Sequence, residues 1–124
     1  MRKLICLAPL LLSGCANFVF DPVEFNNMVT VKELTTTAYN QCGTPEAAKP
    51  IDQIQSLIDH QLLYSSYREA RSVEFNIAII NLKEIADGLS ARYKTEVPSK
   101  VYCQEKIKLI ASGSSTIARI LGRL

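Results

Sequence analysis

Tryptophan is absent from the 124 residues, histidine occurs once, and glycine and proline occur five times each. The lone His60 gives no second imidazole for a metal cluster or a histidine-based proton relay, both of which need several groups at workable spacing. The glycines form no phosphate-cradling loop. Gly113 stands beside Ser114 and Ser115 inside a helical pattern, where small residues serve close helix approach. Asp52 and Asp59 lie seven residues apart and share a helix face as a solvated pair rather than as acid and base. Almost no segment alternates apolar and polar side chains with period two, which argues against strands. No apolar run reaches the roughly 20 residues that cross a bilayer. Charge of one sign is also scarce: 14 Lys and Arg against 12 Asp and Glu give a formal net charge of +2. That balance lacks the basic excess that phosphate-backbone binding requires, so nucleic acid is not an expected partner. Nothing in the inventory marks a catalytic, metal, cofactor or small-molecule substrate site.

What is present begins at the amino terminus. Arg2 and Lys3 precede an apolar stretch, Leu4 to Leu12, and then Ser13, Gly14 and Cys15. A positive start, a short apolar run and small residues before a cut form a secretory leader, too short to be a membrane span. Leu12-Ser13-Gly14-Cys15 resembles the bacterial lipobox. That resemblance implies a signal peptide over residues 1–14, cleavage before Cys15 and lipidation of Cys15. A tether over residues 15–20 and one domain over 21–124 would follow. The expected membrane partner is then reached through acyl chains. Removing Arg2 and Lys3 leaves twelve basic and twelve acidic side chains, so polybasic attraction plays no part. Ala16 follows the cysteine, where inner-membrane retention typically uses aspartate, which points to the periplasmic face of the outer membrane.

With Cys6 in the leader and Cys15 lipidated, Cys42 and Cys103 remain. Exported chains meet an oxidising compartment, so the two are expected to form a disulfide. Closing a loop of about 60 residues stabilises a fold by roughly 4 kcal/mol on the chain-entropy argument.

The remaining pattern is helical. Asp21-Pro22-Val23-Glu24 reads as a cap, a proline at the first helical position and a capping-box glutamate. Met28, Val31, Thr35, Ala38 and Cys42 then recur at three- and four-residue steps, flanked by Phe25, Leu34 and Tyr39. Gly43 suits a left-handed stop, giving a helix over 22–42. After a turn at Thr44-Pro45-Glu46, a second helix is expected from about Pro50, with Ile51, Ile54, Ile58 and Leu62 on one face. The stripe blurs between Leu63 and Val73 and resumes as Phe75, Ala78, Leu82, Ile85, Leu89 and Tyr93, with Ile79 and Ala86 alongside. Residues 50–94 thus read as one long helix or as two, with a bend near Ser65–Ser72. Pro98 ends the segment and Ser99 caps a last helix. Its shared face carries Cys103, Ile107, Ile110, Ser114, Ile117, Leu121 and Leu124. Ile117, Ile120, Leu121 and Leu124 read as core in preference to a strip lying on a membrane. The expected class is all-α, a bundle of three or four helices with the first and last stapled.

Tyr64, Tyr67, Arg68 and Arg71 are the candidate partner-binding residues, since Tyr and Arg are favoured at interface hot spots. Helical packing of the two tyrosines is the structural alternative. Asn40-Gln41-Cys42-Gly43 closing a first helix, Pro98 five residues before Cys103 and a final helix beyond it are similar to the pilotins of type II secretion systems. The resemblance spans about Val29 to Ile110. It implies a small helical lipoprotein with a Cys42–Cys103 bridge that binds a short secretin segment between helices and escorts it to the outer membrane. The expected role is therefore a non-catalytic lipoprotein that binds or assembles another envelope protein. A phage- or plasmid-encoded envelope lipoprotein for exclusion or lysis is the alternative.

Overall fold

Asp21 starts the first helix because its side chain satisfies backbone donors that the helix itself leaves open: Oδ1 accepts from the amides of Val23 (2.8 Å) and Glu24 (3.4 Å). The computed structural model describes residues 20–68 and 72–122. Among these there are four α-helices and no strand: α1 Pro22–Gln41, α2 Ala48–Ser66, α3 Val73–Thr95 and α4 Lys100–Gly122. The leader, Cys15, Arg71, Arg123 and Leu124 lie outside the described residues.

Each boundary has a local cause. At the end of α1, Gly43 adopts φ 85°, the left-handed stop expected of it. A 3-10 turn, Pro45–Ala47, leads into α2. That helix begins at Ala48, earlier than the expected start near Pro50. Pro50 falls in its first turn, where amides have no intrahelical acceptor and a missing N–H costs nothing. Residues 50–94 form two helices. The break follows Tyr67, and Ser72 caps α3 by accepting the amide of Phe75 at 3.1 Å. Ser99 caps α4 as expected, its Oγ accepting the amide of Tyr102 at 3.2 Å.

The helices alternate in direction around one core. α1 packs on α2 and α4, and α3 packs on α2 and α4, which makes a closed four-helix ring. The expected stripes of α1 and α4 are the buried ones: Met28, Val31, Thr35 and Ala38 face Cys103, Ile107, Ile110, Ser114, Ile117 and Leu121. Ile51, Ile54 and Ile58 fill the α2 side, and Ile79, Leu82, Ala86 and Leu89 the α3 side. Ile79 and Ala86 are therefore central, while Ala78 and Ile85 are only partly buried. At Gly113 an added Cβ would stand 2.5 Å from Leu82 Cδ2, so the glycine lets α4 approach α3 closely.

The Cys42–Cys103 disulfide joins the end of α1 to the first turn of α4, with Cα atoms 5.5 Å apart and a sequence separation of 61. Tyr93 closes the third side of this end. Its hydroxyl donates to Cys103 Sγ at 3.2 Å and accepts the Gly43 amide at 3.3 Å. On the outer α2–α3 seam, Lys83 bridges Asp59 and Asp87 at 2.8 Å each, and Ser90 donates to Asp52 at 2.9 Å. Hydrogen bonds from Lys83 to both carboxylates raise the pKa of its ammonium. The Asp52–Asp59 face is thus an inter-helix clasp at the water boundary.

Candidate functional site

The candidate run at the end of α2 is divided by the fold. Tyr64 donates its hydroxyl to Asp21 Oδ2 at 2.6 Å, and Arg68 Nη1 reaches the same oxygen at 2.6 Å. One carboxylate therefore caps α1 and holds the end of α2. Burial pushes the Asp21 carboxyl up, but the Tyr64 hydroxyl, the Val23 and Glu24 amides and the Arg68 charge outweigh it and hold the pKa below its ordinary value. The same bond to Asp21, with desolvation, raises the Tyr64 phenol. Tyr67 points away and is 81% exposed. Arg71 is outside the described residues, so the four are not seen as one surface.

Beneath this latch lies a polar cluster that spacing alone did not flag. Glu24, Gln61 and Ser65 are buried. Asn27 Nδ2 donates to Gln61 Oε1 at 3.1 Å, Gln61 Nε2 donates to Ser65 Oγ at 2.9 Å, and Ser65 Oγ donates to Glu24 Oε1 at 3.2 Å. Glu24, read in the sequence as the capping-box residue, also reaches α2, its carboxylate accepting from Ser65. Leu62, expected on the core face, is only partly buried, because Gln61 and Ser65 occupy the line continuing from Ile54 and Ile58. Glu24 likewise sits four residues before Met28 on the α1 stripe. The signal was there as polar residues at core spacing on two facing helices. Their mutual hydrogen bonding makes the burial tolerable.

Besides a small hollow of about 190 Å³ at Tyr39 and Ile107, two larger concave surfaces flank α1. The larger, about 1280 Å³, runs between α1 and α2. Leu34 and Leu57 give it apolar walls, Thr30, Thr37 and Gln53 give it polar rims, and the 3-10 turn at Pro45 and Glu46 closes one end. Gln41 Oε1, in its wall, is buried without a hydrogen-bond partner. The smaller, about 700 Å³, lies between α1 and α4, with Phe25, Val29 and Ala118 inside and Lys32 and Arg119 at its edge. Neither lining contains cysteine or histidine. Among the described residues no group of three His, Cys, Asp or Glu side chains is placed to hold a metal ion, and no helix is long and apolar enough to cross a membrane. Chemically, the α1–α2 groove is suited to non-covalent binding: apolar contact along its length, with amide and hydroxyl partners for a peptide backbone.

Fold and surface together define a disulfide-stapled, antiparallel four-helix bundle with an inter-helix groove. Compared with known proteins, the chain matches no family model, no curated protein and no solved structure at a significant level.

Proposed function

We propose that the mature chain is a non-catalytic lipoprotein, anchored through Cys15 to the periplasmic face of the outer membrane, that binds a segment of another envelope protein. The observation that carries this reading is Leu12-Ser13-Gly14-Cys15 behind a positively charged apolar leader. The α1–α2 groove supplies a place for the partner segment, with Leu34 and Leu57 as apolar walls and the exposed Thr30, Thr37 and Gln53 as polar rims. An extended or helical peptide with one apolar edge fits such a trough, the binding mode expected of a pilotin-like assembly factor.

A photo-crosslinking side chain at Gln53, in the groove, compared with one at Glu105, on exposed α4, tests this in cells of the native host. The reading expects a discrete protein adduct from the Gln53 position, lost when Leu57 is replaced by arginine, and none from Glu105. Equal or absent crosslinking at the two positions contradicts it.

A further inference from the structure

The exposed apolar side chains are unevenly distributed along the bundle. The starts of α1 and α3 and the ends of α2 and α4 share one end, as the contacts of Asp21 with Tyr64 and of Gly122 with Phe25 show. Phe20 and Val23 are exposed there from α1, Tyr67 from α2, Val73 from α3 and Ile120 from α4. One turn further in, Leu63 and Ile77 are exposed as well. These are seven of the eleven exposed large hydrophobic residues among those described, so the surplus of apolar surface belongs to one end.

Charge is distributed the opposite way. At the disulfide end, Glu46, Lys49, Lys94, Glu96 and Lys100 are exposed. At the apolar end, within the two outermost turns of each helix, the exposed charges among the described residues are Glu74 and Arg119. Arg119 stands at the rim of the α1–α4 groove, and Phe20 packs toward Phe25 in that groove with ring centroids 5.7 Å apart. An apolar cap with an arginine at its margin is the arrangement that enters the headgroup region of a bilayer.

The length of the preceding chain names the occupant. Five residue steps separate Cys15 from Phe20 and reach at most about 18 Å when fully extended. A 20-residue helix such as α1 is about 30 Å long, so an acyl-anchored Cys15 keeps the apolar end within reach of the lipid and leaves the disulfide end free to stand a helix length away. We propose that this end of the bundle, centred on Tyr67, Val73, Phe20 and Ile120, rests on the phospholipid surface and holds the bundle upright. The inference depends on the lipidation of Cys15 proposed above. It turns the anchor from a loose leash into a fixed orientation, with the disulfide end projecting toward the periplasm.

The absence of tryptophan makes the test direct, because one introduced indole is the only one in the chain. Protein expressed with its own leader in the native host, purified from those cells and carrying Tyr67→Trp, or Val101→Trp at the opposite end, is reconstituted into phosphatidylethanolamine–phosphatidylglycerol vesicles with brominated acyl chains. Both sites are exposed, so neither change disturbs the core. Flotation is scored together with fluorescence. The expected result is co-flotation, a blue-shifted Tyr67→Trp emission and quenching several-fold stronger than that of Val101→Trp. Co-flotation with equal quenching at the two sites overturns the docked orientation while leaving the anchor intact. Failure to float overturns the lipidation reading and this inference with it. A blue shift at Tyr67→Trp without bromolipid quenching, accompanied by dimer formation, assigns the apolar end to a second copy and overturns the lipid surface as its occupant.

Discussion

Tyr64 and Asp21, 43 residues apart in sequence, meet at 2.6 Å, and this bond places the end of α2 over the first turn of α1. Arg68 completes the latch on the same carboxylate oxygen. Because Asp21 also caps α1, its removal has a compound effect. Asp21→Ala is expected to lower stability by about 2–3 kcal/mol, the sum of a lost cap and of hydrogen bonds left unmade. Urea unfolding at neutral pH measures it, and an unchanged midpoint contradicts the latch.

The same carboxylate predicts an acid response. Its folded-state pKa is depressed, by the Tyr64, Val23, Glu24 and Arg68 interactions prevailing over burial. Its stabilising contribution is therefore present above the unfolded pKa and is lost as pH falls through the lower folded one. Wild type and Asp21→Asn should differ in stability at neutral pH, begin to converge as the pH falls below about 4 and coincide only below the depressed folded-state pKa. Denaturation midpoints followed across that range check the convergence.

Cys42 and Cys103 close a loop between the first and last helices. Reduction, or replacement of either cysteine by serine, is expected to cost roughly 4 kcal/mol on the chain-entropy argument. Thermal melts with and without reductant should show a large drop for the wild type, and no further drop on adding reductant to Cys42→Ser.

Two glycines should respond to alanine with opposite sign. Gly43 has φ +85°, and an added Cβ would lie 3.0 Å from the Cβ of Lys100, so Gly43→Ala is expected to destabilise by about 1–2 kcal/mol or more. Gly88 is exposed within α3, and a Cβ there meets nothing within 4 Å. Gly88→Ala is expected to stabilise by about 0.5–1 kcal/mol through helix propensity alone. Paired urea unfolding of the two variants measures both.

Much of the fold was legible because helical spacing maps directly onto burial. Met28, Val31, Thr35 and Ala38, and Cys103 through Leu121, occupy the expected stripes, and the two stripe cysteines are bonded. Asp21, Gly43 and Ser99 act as the terminators their chemistry suggests. What spacing did not resolve was the middle of the chain. Tyr64 to Ser72 contains neither glycine nor proline, and the contacts that Tyr64 and Arg68 make beside the break lie on Asp21, more than 40 residues away in sequence. Leu62 was favoured over Gln61 by hydrophobicity, whereas the partners of Gln61 and Ser65 lie on α1, out of reach of local pattern. The two grooves were invisible for a similar reason: they arise from the separation of Leu34 from Leu57 and of Phe25 from Ala118 on neighbouring helices.

The central claim is the lipidation of Cys15, on which both the location and the upright orientation depend. Intact-mass and amino-terminal peptide mass spectrometry of protein purified from native membranes addresses it without mutation. The account predicts a chain beginning at Cys15 with diacylglyceryl and fatty-acyl additions on that residue. A chain that retains Met1, or one that begins elsewhere with an unmodified amino terminus, contradicts it.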